Sequence, residues 1–325
     1  QLVVVGIAVF LLLPRIIGFE RVLGSLRSAN LMFLVLALGT ETVRYIMSAG
    51  STRVLARLFN RVVPFGPLVQ AFFAGAAANR TLSTGGVPGM VVRLLYLRRQ
   101  GVSSGSVASL FLIGDIVGVA IGGLFFLVGI LTLASAHVPT KFVTGALPIT
   151  ALMVGLGGLY LYSRRALVER LLHGIARWLD RIAQRLIGRA LFTPARVQRG
   201  VDDFYAGIAA AQHKPLYVAA SFLFNLLRYV AGAVALYFAF LAVNWTISPS
   251  VLIVLYTSHS MLSTMSAAPG EVAIMGSGLA MLSLAFGVPR DVSLAALLLS
   301  RTLSFWLPIP IGYAALWNLS RQRYL

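Results

Sequence analysis

Five predominantly apolar stretches, at 29–49, 107–133, 142–162, 216–243 and 292–316, are each long enough to cross a bilayer as an α-helix. A sixth, 2–13 with some continuation, reads as a shortened crossing. The runs are continuous rather than alternating, which disfavours a membrane β-barrel. The rest of the chain agrees: mean hydropathy is +0.88, and 58% of the 325 residues are apolar against 11% charged. The expected fold class is an all-α polytopic membrane protein with about six transmembrane helices. The first residue is Gln1 rather than Met, so upstream residues are expected. A signal-peptide reading of 2–13 is disfavoured because Pro14-Arg15 follows in place of a small-residue cleavage site.

Zero cysteines exclude disulfides and thiol chemistry, and four scattered histidines (His137, His173, His213 and His259) lack ligand spacing. No metal and no cofactor are expected. A net charge of +18 raises the possibility of nucleic acid, but the position of the charge argues otherwise. Nine arginines fall within 164–199, where leucines and Trp178 recur at helical spacing opposite them. That pattern suits an amphipathic helix on an anionic inner leaflet, and the positive-inside rule makes the loop cytoplasmic.

Counting crossings from that loop gives the rest of the topology. Residues 66–100 then start and end inside, and 250–287 start and end outside. Each contains two short apolar arms around a Gly/Pro break, so each reads as a re-entrant hairpin. The expected organisation is a first membrane half at 1–162, a basic loop at 163–200 and a second half at 201–325, with both termini cytoplasmic. The halves have opposite orientation, the inverted-repeat pattern that places a site near the membrane midplane. An echo supports it: "GVSSGSVASLFLIGD" from Gly101 and "GVPRDVSLAALLLSR" from Gly287 put Asp115 and Arg301 at the same offset.

Seven ionisable residues fall at membrane depth: Glu41, Arg44, Arg80, Asp115, Arg228, Glu271 and Arg301. Facing lipid they would cost on the order of 20 kcal/mol together, so they must pair or line a wet cavity. Glu41 and Arg44 stand three apart on one helix face and are expected to form a structural pair. Asp115 is expected to pair with Arg301 across the halves, and Glu271 to meet Arg80 or Arg228. Four arginines against three carboxylates leave one positive charge for an anionic ligand. The break "NRTLSTGGVPGM" is the expected anion site. Asn79, Thr81, Ser83 and Thr84 offer hydrogen bonds. Gly85, Gly86 and Gly89 permit positive φ, and Pro88 would restart a helix whose free amides Arg80 and Arg93 reinforce. The alternative reading of the glycines is close helix packing, which accounts well for Gly122-Gly123 and the glycines at 155–158.

At these residues the chain resembles the lysylphosphatidylglycerol synthase transmembrane family, the flippase-like region also found in multiple peptide resistance factors. The similar stretches are "NRTLSTGGVPGMVVRLLYLRRQGVSSGSVA" and "APGEVAIMGSGLAMLSLAFGVPRDVSLAALLLSRTLSFWLPIPIGYAAL". The resemblance implies translocation or binding of a lipid. From the charges at membrane depth and the two Gly/Pro breaks, the expected binding residues are Asn79, Arg80, Thr81, Thr84, Gly85, Gly86, Pro88, Arg93, Arg228, Pro269, Gly270, Glu271 and Arg301, with Glu41, Arg44 and Asp115 as charge partners. The expected role is a flippase moving a phosphate-containing, anionic or aminoacylated lipid in a bacterial or archaeal cytoplasmic membrane, with no nucleic-acid partner and with room for an oligomer. Two other roles fit the sequence: a membrane enzyme acting on a lipid-linked substrate, and a lipid-binding scaffold.

Overall fold

The computed structural model describes residues 29–82, 86–134, 194–265, 284 and 286–325. All regular elements among them are helical: α1 (Leu31–Ala56), α2 (Phe65–Leu82), α3 (Val87–Arg99), α4 (Ser104–Ala134), α5 (Pro194–His213), α6 (Pro215–Ala242), α7 (Pro249–Met265), α8 (Arg290–Trp306) and α9 (Pro308–Arg321). Among the described residues, four stretches are long and apolar enough to span a membrane: Leu31–Phe59, Ser104–Gly129, Pro215–Ala242 and Asp291–Arg321. Side chains such as Leu31 and Leu216 are about three-quarters exposed, at 75% and 77%. Apolar exposure on that scale suits lipid rather than water. The protein is a polytopic α-helical membrane protein. The expected crossings at 2–13 and 142–162, most of the basic loop and the second arm of the 250–287 hairpin lie outside the described residues.

Local chemistry sets the helix ends. Asn30 caps α1, its side-chain oxygen accepting from the Met32 amide at 2.9 Å. α1 ends through a short 3-10 turn (Arg57–Phe59) at Asn60, which is left-handed with φ 55°. α6 ends in the same way at Asn244, with φ 57°. Asn tolerates this conformation better than other side-chain-bearing residues, so both helices stop where a free carbonyl can be turned back. Proline opens α6 and α9 and lies in the first turn of α3, where its missing N–H costs no helical bond.

The core is the antiparallel pair α1 and α6, which pack more extensively than any other two described helices. The register is read from its rungs. Near one end the Asn30 amide donates to the Ala242 carbonyl at 2.8 Å. Near the other, the buried Ser51 and Ser221 hydroxyls are 2.8 Å apart, and Asn225 donates to Ser51 at 2.8 Å. The remaining helices attach in matching pairs. α2 packs on α9 as α7 packs on α4, and α4 and α8 each touch both α1 and α6.

Two connections are near copies as well. Asn60 leads through buried Val63 to α2, and Asn244 through buried Ile247 to α7. Gly101 (φ 81°) with buried Val102 precedes α4, and Gly287 (φ 76°) with buried Val288 precedes α8.

α2 and α3 form a hairpin whose open ends meet, since the Tyr96 hydroxyl donates to the Pro64 carbonyl at 3.1 Å. α5 lies along α4 with Gly200 against Gly105 and Gly207 against Ser109. The following Lys214 donates to Asn60 Oδ1 at 2.8 Å, tying the start of α6 to the end of α1.

Tight seams depend on small residues. Gly312 of α9 leaves no room for a methyl against the Phe73 carbonyl and Ala77 of α2, whereas Gly123 faces open space. Gly312→Ala is expected to cost about 1–3 kcal/mol by overpacking and to lower the detergent melting temperature by several degrees. Gly123→Ala should stay within about 0.5 kcal/mol of the parent.

Candidate functional site

The hairpin places the residues of the sequence break. Asn79 closes it internally, because its Oδ1 accepts from the Gly89 amide at 2.6 Å. One of the amides expected to face a ligand therefore already has a protein acceptor. α3 starts at Val87, one residue before Pro88, with Gly86 at φ 83° as its N-cap. Gly75 and Gly89 bring the two arms into backbone contact, so Gly89 serves close packing. Thr81 donates to the Ala77 carbonyl at 3.0 Å and accepts from the Tyr313 hydroxyl at 2.9 Å. Thr84, Gly85, Pro269, Gly270 and Glu271 lie outside the described residues.

Arg80 reaches from α2 to α8. Its Nη2 donates to the Ser304 carbonyl at 3.2 Å, and its guanidinium lies 6.0 Å from the Phe305 ring centroid. The local cause is Pro308, which has no N–H for the carbonyl four residues before it, that of Ser304. Arg80 supplies the missing donor.

Arg93 stands between the rings of Phe72 and Phe111, 5.0 and 5.1 Å from their centroids, and its Nε donates to the Gly89 carbonyl at 3.2 Å. Asp115 and Arg228 lie within its electrostatic reach. The positive charges acting on Asp115 are Arg93 and Arg228, carried by α3 and α6, on which α4 packs, and not the expected Arg301 alone. Asp115 makes no ion pair with either among the described residues, and Arg301 sits on α8.

Arg228 stacks over Tyr229 at 5.1 Å. Its Nε is buried and has no hydrogen-bond partner among the described residues. Its Nη2 lies close to α4, 3.1 Å from where a Cβ on Gly118 would stand. Glu41 and Arg44 form the expected pair: Nε donates to Oε2 at 2.9 Å and Nη2 to Oε1. Arg44 stacks over Tyr45 at 5.1 Å, the same geometry as Arg228 over Tyr229.

The α1–α6 register explains this likeness. Equal steps from the Ser51–Ser221 rung, backward along α1 and forward along α6, reach Arg44 and Arg228 together, and counting from the Asn30–Ala242 rung gives the same result. The two arginines stand at one height in the middle of the central pair, and Tyr256 of α7 lies within electrostatic reach of both.

Sequence reasoning did not find Tyr45, Tyr229 or Tyr256. A usable signal was present, since the dipeptide Arg-Tyr occurs at 44–45 and 228–229 at the same interval that separates Asn60 from Asn244. Ser304 was hidden because its role follows from a proline four residues further on.

Asn79→Ala removes the acceptor for the Gly89 amide and should cost about 1–3 kcal/mol. Hydrogen exchange of the 86–90 amides is expected to speed up while exchange in α6 is unchanged. Equal exchange at both places would contradict the internal role of Asn79.

Comparison with known proteins extends these observations. A UPF0104 membrane protein of Pyrococcus horikoshii is 19% identical over 330 residues, covering 96% of this chain and 94% of the relative. One of Methanocaldococcus jannaschii is 18% identical over 332 residues, covering 99% and 95%. The family model for the lysylphosphatidylglycerol synthase TM region matches residues 2–312. With a match of that extent on a polytopic helical fold, the chain belongs to the lysylphosphatidylglycerol synthase transmembrane family.

Proposed function

We propose that this protein is a lipid translocase that carries a phosphate-bearing headgroup across the membrane between two inverted halves, while the acyl chains stay in the bilayer. The observation that carries the reading is the cluster of Arg93, Arg228 and Asp115. It holds two guanidiniums and one carboxylate with no ion pair among the described residues, and the Arg228 Nε is orphaned. An uncompensated positive charge at membrane depth is costly. A phosphate group supplies both the missing charge and the missing acceptor.

Three further observations support the inverted halves. The helix contacts match in pairs, the left-handed Asn60 and Asn244 turns are equivalent, and Gly101 and Gly287 start equivalent helices. The meeting of Tyr96 with Pro64 supports a re-entrant hairpin, because it returns the chain to the end where it began. Membership in a family described by a lysylphosphatidylglycerol synthase region supports a lipid as cargo. The basic stretch 164–199 suits an anionic cytoplasmic leaflet, which supports a cell-membrane location with both termini inside.

The test is purified protein in liposomes carrying headgroup-labelled phosphatidylglycerol, with outer-leaflet label quenched chemically. Wild type should expose inner-leaflet label much faster than empty liposomes. Arg228→Ala should reduce the rate tenfold or more, the effect expected when a charge-assisted contact of about 1.5–3 kcal/mol is lost. Arg228→Lys, which keeps the charge and loses the fork, should fall between them. Equal rates for wild type, Arg228→Ala and empty liposomes would end the translocase reading.

A further inference from the structure

The α1–α6 pair carries the Arg-Tyr unit twice, and the two copies differ in what meets the arginine. At Arg44 the Nε and Nη2 edge is filled by both oxygens of Glu41. At Arg228 the same Nε is buried without an acceptor among the described residues. The residue of α6 equivalent to Glu41 is Asn225, which is uncharged and turned to Ser51 and to the Ser221 carbonyl, at 2.8 and 2.9 Å.

A two-fold axis that exchanges two antiparallel helices lying side by side runs perpendicular to the plane containing them. Equivalent side chains therefore rise from the same face. Tyr256, in reach of both guanidiniums, fits that placement. Arg44 is also not sealed: its side chain keeps 27% exposure, whereas that of Glu41 keeps 8%.

We propose that Arg44 is a second oxyanion station, equivalent to Arg228, and that the Glu41 carboxylate occupies it as a built-in stand-in for the ligand. This deepens the translocase reading and rests on it. The ligand class follows from the stand-in. A carboxylate offers two oxygens that share one negative charge and meets the guanidinium edge with both. The two non-bridging oxygens of a phosphodiester have the same charge and a similar fork. The stations thus select a singly charged phosphodiester, either in a phospholipid headgroup or as a soluble glycerophosphodiester. The carboxylate keeps one station closed, so the resting protein presents one open station at a time.

The experiment counts bound ligand by native mass spectrometry of detergent-solubilised full-length protein. The probes are phosphatidylglycerol and, in a separate arm, glycerophosphoglycerol, the same diester without acyl chains. Wild type should hold one phosphatidylglycerol that is lost in Arg228→Ala. Glu41→Gln should hold two, and adding Arg44→Ala to Glu41→Gln should return the count to one. Glu41→Asn, which copies the residue found on α6, repeats the test should the glutamine variant fail to fold.

If wild type holds no lipid that depends on Arg228, the reading of Arg228 fails and this proposal fails with it. If wild type holds one and both Glu41 variants also hold one, the second station alone is overturned. A second lipid that survives Arg44→Ala overturns it as well. Retention of the soluble diester to the same count assigns the stations to the diester itself, and retention of phosphatidylglycerol alone assigns them to a lipid. Both results support the station, and they separate its two possible sources.

Discussion

Two apolar helices lying side by side in a bilayer gain little hydrophobic free energy from each other, because lipid tails are as apolar as their side chains. The central α1–α6 contact must therefore be held by close packing and by hydrogen bonds. Ser51, Ser221 and Asn225 supply the bonds, and Gly50 admits the ring of Phe224. This seam sets the register, and the register sets the height at which Arg44 and Arg228 meet. A shift by one residue would rotate each side chain about 100° around its helix. The guanidiniums would then leave their shared face, and the serine rungs would lose their partners.

The two helices meet the cost of these arginines differently. On α1 the counter-charge is local: Glu41 is one turn from Arg44 and bonds it through both oxygens. On α6 the equivalent position is the neutral Asn225, and the carboxylate in reach of Arg228 is Asp115 from α4. Arg301 stands as far from Gly287 as Asp115 does from Gly101, so the acidic position on α4 is not repeated on α8. The central pair thereby carries an asymmetric charge distribution: Arg44 is bonded by a carboxylate, and the Arg228 Nε is not bonded among the described residues.

The legibility of these features in the sequence follows their range. Helix-scale features were readable, since the apolar lengths at 29–49, 107–133 and 216–243 fall on α1, α4 and α6. Helix ends set by polar residues were less so. α1 runs on to Ala56 through Ser51, Thr52 and Arg53, because their backbone bonds are helical whatever their hydropathy. The Glu41–Arg44 pair was readable because it lies within one turn. The environment of Asp115 was not, because it depends on which helices α4 packs against, and an equal offset from a glycine in sequence does not put two residues in contact. The break after Asn79 showed the opposite difficulty. Its glycines pointed to the left-handed Gly86, but Asn79 stands within α2, and its bond to the Gly89 amide follows from the approach of α2 to α3 at Gly75.

Arg80 shows why membrane depth does not by itself assign a residue to a ligand. Pro308 frees the Ser304 carbonyl in a region where water is scarce, and an unsatisfied carbonyl there costs several kcal/mol. Arg80 meets that need with a charge-assisted bond and ties the first hairpin to the break between α8 and α9. Its guanidinium thus has a structural task whether or not a phosphate passes. Arg228 has no such task among the described residues: it makes no hydrogen bond to a carbonyl, and its Nε is orphaned. Removing Arg80 disturbs the join between the halves together with any anion contact. Removing Arg228 takes away its stack on Tyr229 and its charge near Asp115 but leaves no bond of its Nε broken among the described residues, and for that reason the proposed anion chemistry rests first on Arg228.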